Sequence, residues 1–329
     1  MENEYKYMAE VLKTLPKEKP IYIGGHIETP DADSVGSSIA LALYLKSMGY
    51  DAKALLDEKD NEFLFWYNGD KSVVINSLDN PQNYTFILLD SSDKTRLDIF
   101  EEYFDKADIT VNIDHHEGNK GESQYIIANG DISSTSEMIY DIFVQMDPEL
   151  ISQDISTLLY AGIMTDTCCF ARRLTNRTLL IAQVLINKGI DYKSLIRQLY
   201  TKRTMLEVHT YTKLASQIKH YDNFDYIIVD LKSEDFKDVT LYTLTKKVSE
   251  ELRKLDTLEN FLMLVKNGNK ITGKTMCNNG DLAGRLALYF GGGGHKTEGG
   301  FTIKNMTIGE ILEATKRFIA NDEYTDNEE

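Results

Sequence analysis

Three short apolar runs in the first half of the chain each lead to an acid or an imidazole, and this recurrence constrains the fold more than any other feature. Ile21-Tyr22-Ile23 passes through Gly24-Gly25 to His26. Tyr84-Thr85-Phe86-Ile87-Leu88-Leu89 ends at Asp90, and Ile109-Thr110-Val111 leads into Asn112-Ile113-Asp114-His115-His116. An apolar run of this length without alternation reads as a strand covered on both faces, the kind found in parallel sheets. Between the runs, residues 34–48, 136–146, 152–163 and 178–187 carry apolar side chains at helical density, with Gly49 and Gly189 as stops. An amphipathic helix over about 4–15 precedes them. Strand, polar loop and helix make the repeating unit of an open α/β sheet, and such sheets build their sites at the carboxyl ends of the strands.

The second half follows a different plan. Residues 192–219 are basic and helical, with Lys193, Arg197, Lys202, Arg203, Lys213 and Lys219. A second α/β pattern opens at Tyr226-Ile227-Ile228-Val229-Asp230 and continues with a helix over about 241–255. Asn267-Gly268-Asn269, between runs 261–265 and 270–275, signals a hairpin. A short helix over 282–290, the stretch Gly291-Gly292-Gly293-Gly294-His295, a strand over 300–303 and a helix over 308–319 complete it. The pattern predicts an α/β protein whose parallel-sheet first domain, 1–190, has helices on both faces. A helical linker over 191–219 then leads to a smaller α/β domain with a mixed sheet over 220–320, and 321–329 form an acidic, disordered tail.

Composition removes several functions. A net charge of −16 over 329 residues argues against a grip on long duplex nucleic acid through its phosphates, which needs clustered cations, and leaves short anionic substrates open. No apolar run approaches the roughly 18 residues that span a bilayer, so no membrane partner is expected. The acidic start Met1-Glu2-Asn3-Glu4 lacks a secretory layout, so a cytoplasmic location is expected. Three cysteines, two of them the adjacent Cys168 and Cys169, make neither a disulfide framework nor a CxxC pair and are expected as reduced thiols.

The polar residues at these strand ends and loops are His26, Asp31, Asp33, Asp90, Asp114, His115, His116 and Asp166. Each alone reads as a helix cap or turn residue. Together, carboxylates brought to one sheet edge repel unless cations balance them. Mixed oxygen and nitrogen donors suit Mn²⁺, Mg²⁺ or Fe²⁺ better than a thiolate-type zinc site. Two such ions about 3.5–4 Å apart clamp a phosphoryl centre and activate water for phosphoester hydrolysis. Asp90, on the middle of the three strands, is the candidate bridge between them.

In this order, the motifs His26 to Asp33 with Ser34-Val35-Gly36-Ser37, then Asp90, Asp114-His115-His116 and Asp166, resemble those of the DHH phosphoesterases. Gly291 to His295 resembles the GGGH element of the DHH-associated C-terminal domain. The resemblance spans about residues 20–305 and is strongest to the compact branch that degrades short oligoribonucleotides and dephosphorylates 3′-phosphoadenosine 5′-phosphate. It implies a DHH domain followed by a substrate-binding domain, with hydrolysis by a hydroxide activated by two Mn²⁺ ions in the inter-domain cleft. His26, Asp31, Asp33, Asp90, His115 and Asp166 then match metal ligands, Asp114 orients an imidazole, and His116 faces the scissile phosphate. Asn119, Ser134, Thr135, Gly292, Gly293, Gly294 and His295 match substrate contacts. The implied partner is a short oligonucleotide or small nucleotide, and a homodimer is admitted.

The chain also departs from the family pattern. Where a Ser-x-Arg-Ser stretch is usual, it reads Lys274-Thr275-Met276-Cys277, with Met276 near the place of the arginine, and Glu298 stands where the family has a small residue. A bidentate phosphate donor is thereby lost, with Lys274 a partial substitute. The rival readings are a cyclic-dinucleotide phosphodiesterase, a pyrophosphate or polyphosphate hydrolase, and a nucleotide-binding regulator without turnover. Arg172 and Arg173 suit a substrate phosphate and a solvated helix start equally well. Lys202 and its neighbours read as a solvated face, Cys168 and Cys169 as packing residues, and Trp66 as core.

Overall fold

The computed structural model describes residues 2–27, 31–57, 63–116, 118–221, 224–241, 243–255, 258–278 and 280–325. Glu28, Thr29 and Pro30 of the first polar loop, Glu117, and the last residues of the expected tail lie outside the described set. The chain divides into two compact units, Met1–Lys202 and Arg203–Glu329.

In the first unit the strands β1 (Ile21–Gly24), β2 (Ala52–Leu55), β3 (Val74–Ile75), β4 (Thr85–Leu89), β5 (Ile109–Asp114) and β6 (Tyr125–Ala128) form one sheet in the order β3-β2-β1-β4-β5-β6. Every pairing is parallel. The order reverses direction between β1 and β4, and a doubly wound sheet opens a crevice at the carboxyl ends of the two strands flanking that switch. His26 and Asp90 stand at those ends.

Phe86 and Leu88 pack on one face of the sheet with Leu97, Phe100 and Phe104. The other face carries α1 (Glu2–Lys13), α2 (Ala32–Ser47) and α4 (Thr135–Met146), with α5 (Gln153–Asp166) packed on α2 and α4, while α3 (Glu101–Asp105) lies with the Phe100 group. Helices α2 and α5 cross closely at Gly36, where an added Cβ would fall 2.8 Å from the Leu158 carbonyl oxygen. Trp66 is buried, in keeping with a core role, and the three cysteines are free thiols. After α6 (Asn176–Asn187), the basic stretch expected as a linker gives α7 (Tyr192–Ile196) and a π-helical turn, Arg197–Thr201, to the first unit. It gives α8 (Met205–Ala215) to the second.

The second unit holds a mixed sheet of β7 (Lys219–Tyr221), β8 (Phe224–Asp230), β9 (Asn260–Asn267), β10 (Lys270–Cys277), β11 (Gly293–His295) and β12 (Glu298–Ile303). Its order is β11-β12-β10-β9-β8-β7, with β8 and β9 parallel and the remaining pairs antiparallel. The expected hairpin joins β9 to β10, with Asn267 opposite Lys270 and Gly268 at φ +66°. One apolar cluster, around Val229, Leu244, Leu252 and Met263, packs α8 and α9 (Ser249–Leu252) against the sheet. Another, around Leu262, Leu264, Phe301 and Ile311, packs α10 (Leu282–Tyr289) and α11 (Ile308–Thr325). Thus α11 continues into the stretch expected as a tail. Among the described residues no helix is long and apolar enough to cross a membrane.

Candidate metal centre

The turns that leave β1, β4 and β5 set out the first-unit donors, and helices supply the rest. Asp31 caps α2, its carboxylate accepting from Ser34 N at 3.0 Å, and Asp33 lies in the helix's first turn, fully buried. The two Asp33 oxygens accept from Thr135 N at 2.7 Å and Ser136 N at 2.8 Å, the unpaired amides at the start of α4. A helix N-terminus suits such an anion because its amides and its dipole both point at it. The neighbouring helix passes only because residue 162 is glycine: a Cβ there would lie 2.6 Å from Asp33 Oδ1.

Asp90 follows β4 directly and is buried with its backbone in the left-handed region, φ +53°. Its carboxylate is divided between two sets of donors. Oδ2 lies 3.3 Å from His26 Nε2, which is also 3.3 Å from Asp31 Oδ2. Oδ1 lies 3.2 Å from His115 Nε2, which is in turn 3.2 Å from Asp166 Oδ2 and 3.9 Å from Asp33 Oδ2. The Thr135 hydroxyl donates to the same Oδ1 at 3.2 Å. His115 Nδ1 lies 3.3 Å from the Ile132 carbonyl oxygen, so that nitrogen carries the proton and Nε2 faces the carboxylates.

Charge in the cluster is unbalanced. Burial, reinforced by the negative charges of Asp90 and Asp166, pushes the Asp33 carboxyl well above the usual carboxylate range. Burial acts on Asp90 in the same direction, but hydrogen bonds from His115 and His26 outweigh it and hold Asp90 well below that range. Burial lowers His26, yet the Asp31 charge and the hydrogen bonds that the ring donates to Asp31 and Asp90 raise it to about 9. His115 is likewise raised against its burial by Asp166 and Asp90.

The donor set fits divalent cations. Ligand atoms about 2.1 Å from an octahedral ion stand about 3 Å apart on adjacent vertices, and the 3.2–3.3 Å spacings above approach that. His26, Asp31 and Asp90 make one compact group and Asp33, Asp90 and His115 another, with Asp90 common to both. No thiol takes part, in line with oxygen- and imidazole-preferring ions.

Asp166 reaches the cluster from the last residue of α5, not from a strand end. An acid at a helix C-terminus is disfavoured by the dipole, and the imidazole of His115 compensates for it here. Asp114 lies behind the cluster: Oδ1 accepts from His116 Nδ1 at 2.7 Å and from His116 N at 3.1 Å, and Oδ2 accepts from Asn119 Nδ2 at 2.9 Å. Burial raises the Asp114 carboxyl, but the His116 charge and these hydrogen bonds bring it below its usual value.

The three expected substrate contacts of this unit also make bonds within the protein, Thr135 to Asp90 and Asp33 of the centre itself. Asn119 Nδ2 also donates to Asn112 Oδ1 at 2.6 Å, which makes Asn119 a brace for the β5 turn. Ser134 caps α4 by accepting from Glu137 N, and both it and Thr135 are fully buried. Sequence reasoning missed Asn112, whose amide donates to the carbonyls of Leu88 and Ser91 at 3.1 Å each and ties β5 to the Asp90 turn. A polar side chain in the middle of an apolar strand was the available signal.

In the second unit the glycine stretch is an edge strand, not a bare loop. Gly293, Gly294 and His295 pair with Gly300, Gly299 and Glu298, and Gly292 N is spent on the Ala287 carbonyl at 2.9 Å. A Cβ at Gly292 would fall 2.1 Å from the Gly300 oxygen, whereas at Gly293 it would meet nothing within 4 Å. Met276 is core. Lys274 pairs with Glu298, whose other oxygen takes Arg253 Nη1 at 2.9 Å, and Arg253 Nη2 donates to the Thr297 carbonyl at 3.1 Å. Lys274, the partial substitute for the missing arginine, and Glu298, one of the departures from the family pattern, are thus partners in one network.

Residues 20–163 match the model of the DHH family, N-terminal domain. Over 339 residues the chain is 27% identical to the bifunctional oligoribonuclease and PAP phosphatase NrnA of Thermus thermophilus, covering 97% of this chain and 95% of that protein. It is 23% identical over 335 residues to the cyclic-di-AMP phosphodiesterase PdeA of Listeria monocytogenes, covering 94% of this chain and 49% of the relative. The crystal structure of an exopolyphosphatase-related protein from Bacteroides fragilis has the same fold, with a TM-score of 0.80 at 20% identity over 98% of this chain and 96% of that one.

Proposed function

We propose that the chain, whose residues 20–163 match the DHH family's N-terminal domain, is a phosphoesterase that hydrolyses short oligoribonucleotides or small phosphorylated nucleotides at the acidic centre, with two Mn²⁺ ions. The observation that carries the reading is the divided carboxylate of Asp90, one oxygen to each donor set. His26, Asp31 and Asp90 would hold one ion, and Asp33, Asp90, His115 and Asp166 the other. Bound there, divalent ions supply positive charge for the phosphoryl oxygens and acidify water to a useful range near neutral pH.

The chain's own residues do the positioning. Asp114 accepts the Nδ1 proton of His116 and so fixes the ring, leaving Nε2 to hold a proton against a phosphoryl or leaving-group oxygen. Burial of Asp33, Asp90 and His115 keeps bulk water from competing for the donors. The Thermus relative, aligned over nearly the whole of both chains, supports short oligoribonucleotides and small nucleotides as the substrate class.

The purified protein with Mn²⁺ is expected to release mononucleotides from di- to pentaribonucleotides. Asp90→Asn should lose more than about a hundredfold in kcat, beyond the effect of removing a residue that only supports a ligand. Full activity in Asp90→Asn would refute the shared-carboxylate centre. A cyclic dinucleotide, 3′-phosphoadenosine 5′-phosphate and pyrophosphate run in parallel separate the substrate classes.

A further inference from the structure

The turn that follows Asp166 has a run of left-handed backbones. Cys168, Cys169 and Phe170 all have left-handed backbones, at φ +50°, +58° and +64°, and Arg173 follows at φ +46°. None is glycine, and each such residue is disfavoured sterically, so the surroundings must hold the turn in place. Its effect is to fold the chain back over the end of α5. Arg173 Nη2 donates to the Asp166 carbonyl oxygen at 2.7 Å and lies 3.7 Å from Asp166 Oδ2, the same oxygen that faces His115 Nε2 at 3.2 Å.

The outer edge of this guanidinium is unmatched. Arg173 Nη1 and Arg172 Nη1 are both buried, and among the described residues neither has a hydrogen-bond partner. A guanidinium nitrogen withdrawn from water without an acceptor carries its full desolvation penalty. Capping of the helix end accounts for Arg173 Nη2, but for neither Nη1. Arg177 differs: it is committed to Asp141. Planar guanidinium forks match paired oxyanion oxygens, phosphate above all.

We propose that Arg172 and Arg173 form an oxyanion seat at the Asp166 edge of the metal centre and bind a phosphate group of the substrate. This rests on the phosphoesterase reading and deepens it. Apart from its cations, the centre as proposed offers a phosphate only the His116 ring. The two guanidiniums add donors that the chain itself carries, Arg173 directly beside the Asp166 carboxylate. Arg173 is thereby a binding residue tied by Asp166 to the ligand set, and Arg172 is its partner.

The test uses the full-length protein loaded with Mn²⁺, calorimetric titration with 5′-AMP, and initial rates on a diribonucleotide. Arg173→Met and Arg172→Met should each weaken 5′-AMP binding roughly tenfold to a hundredfold, the effect of one charged hydrogen bond. KM should rise with it, Mn²⁺ stoichiometry should stay unchanged, and Arg173→Lys should recover part of the loss. Unchanged 5′-AMP affinity in both methionine variants would overturn the seat. So would loss of Mn²⁺ together with 5′-AMP in Arg173→Met, since that marks a residue that only supports Asp166. If the wild type binds 5′-AMP through these arginines yet turns over none of the substrates, the hydrolase reading fails and the seat stands.

Discussion

Glu137 shows what a buried charge does away from the metal centre. It is 1% exposed and accepts hydroxyls from Ser133 and Thr178. Burial still raises its carboxyl above the ordinary 4.5, against those two hydrogen bonds, and nearby Asp141 adds to the rise. A folded-state pKa above the unfolded one means that the native state binds the proton more tightly. The associated stability is present below pH 4.5 and is lost as pH rises through the folded value. Glu137→Gln keeps an oxygen acceptor and removes the titration. The Tm of wild type minus that of Glu137→Gln should therefore fall between pH 4.5 and pH 8, and equal differences at both would refute the assignment. At this scale much of the centre was legible: His26, Asp31, Asp33, Asp90, His115 and Asp166 all lie together. Ser134, Thr135 and Asn119 make internal bonds that the sequence does not foretell, because a hydroxyl or amide beside a ligand motif looks the same in sequence whatever it braces.

Among the elements, those carrying a full apolar run or a firm stop were legible. β1, β4, β5, α2 and the β9–β10 hairpin follow from local chemistry. β2, β3, β6 and β7, of two to four residues each, are too short to show a period of their own and exist because a neighbour offers a free edge. The glycine stretch became β11 for the same reason: β12 supplies the pairing that glycine's propensity opposes. The expected helix over 241–255 is instead a π-helical Thr243–Val248 running into α9, a distinction that apolar spacing does not resolve. The crossing of α2 and α5 depends on Gly36. Gly36→Ala would drive a methyl towards the Leu158 carbonyl and should cost about 1–3 kcal/mol, read as a lower denaturant midpoint at unchanged slope. A neutral result would mean that the two helices separate without penalty.

For the whole molecule, the consequence of two separate cores is that ligands of one unit act on that unit's melting. An ion at 100 times its Kd stabilises the state that binds it by about 2.7 kcal/mol, and the donors identified here belong to Met1–Lys202. Calorimetry with chelator and then with Mn²⁺ should move the transition of that unit upward. Asp90→Asn should lose most of the upward shift that Mn²⁺ gives wild type. An equal Mn²⁺ shift in Asp90→Asn would refute the claim that Asp90 holds the ions. The left-handed backbone of Asp90 enters here a second time. Glycine or asparagine would sit in that backbone conformation more comfortably than aspartate. Under the two-metal reading, a cation shared by both donor sets would return that backbone cost, and the turn is weaker without metal than another residue would make it.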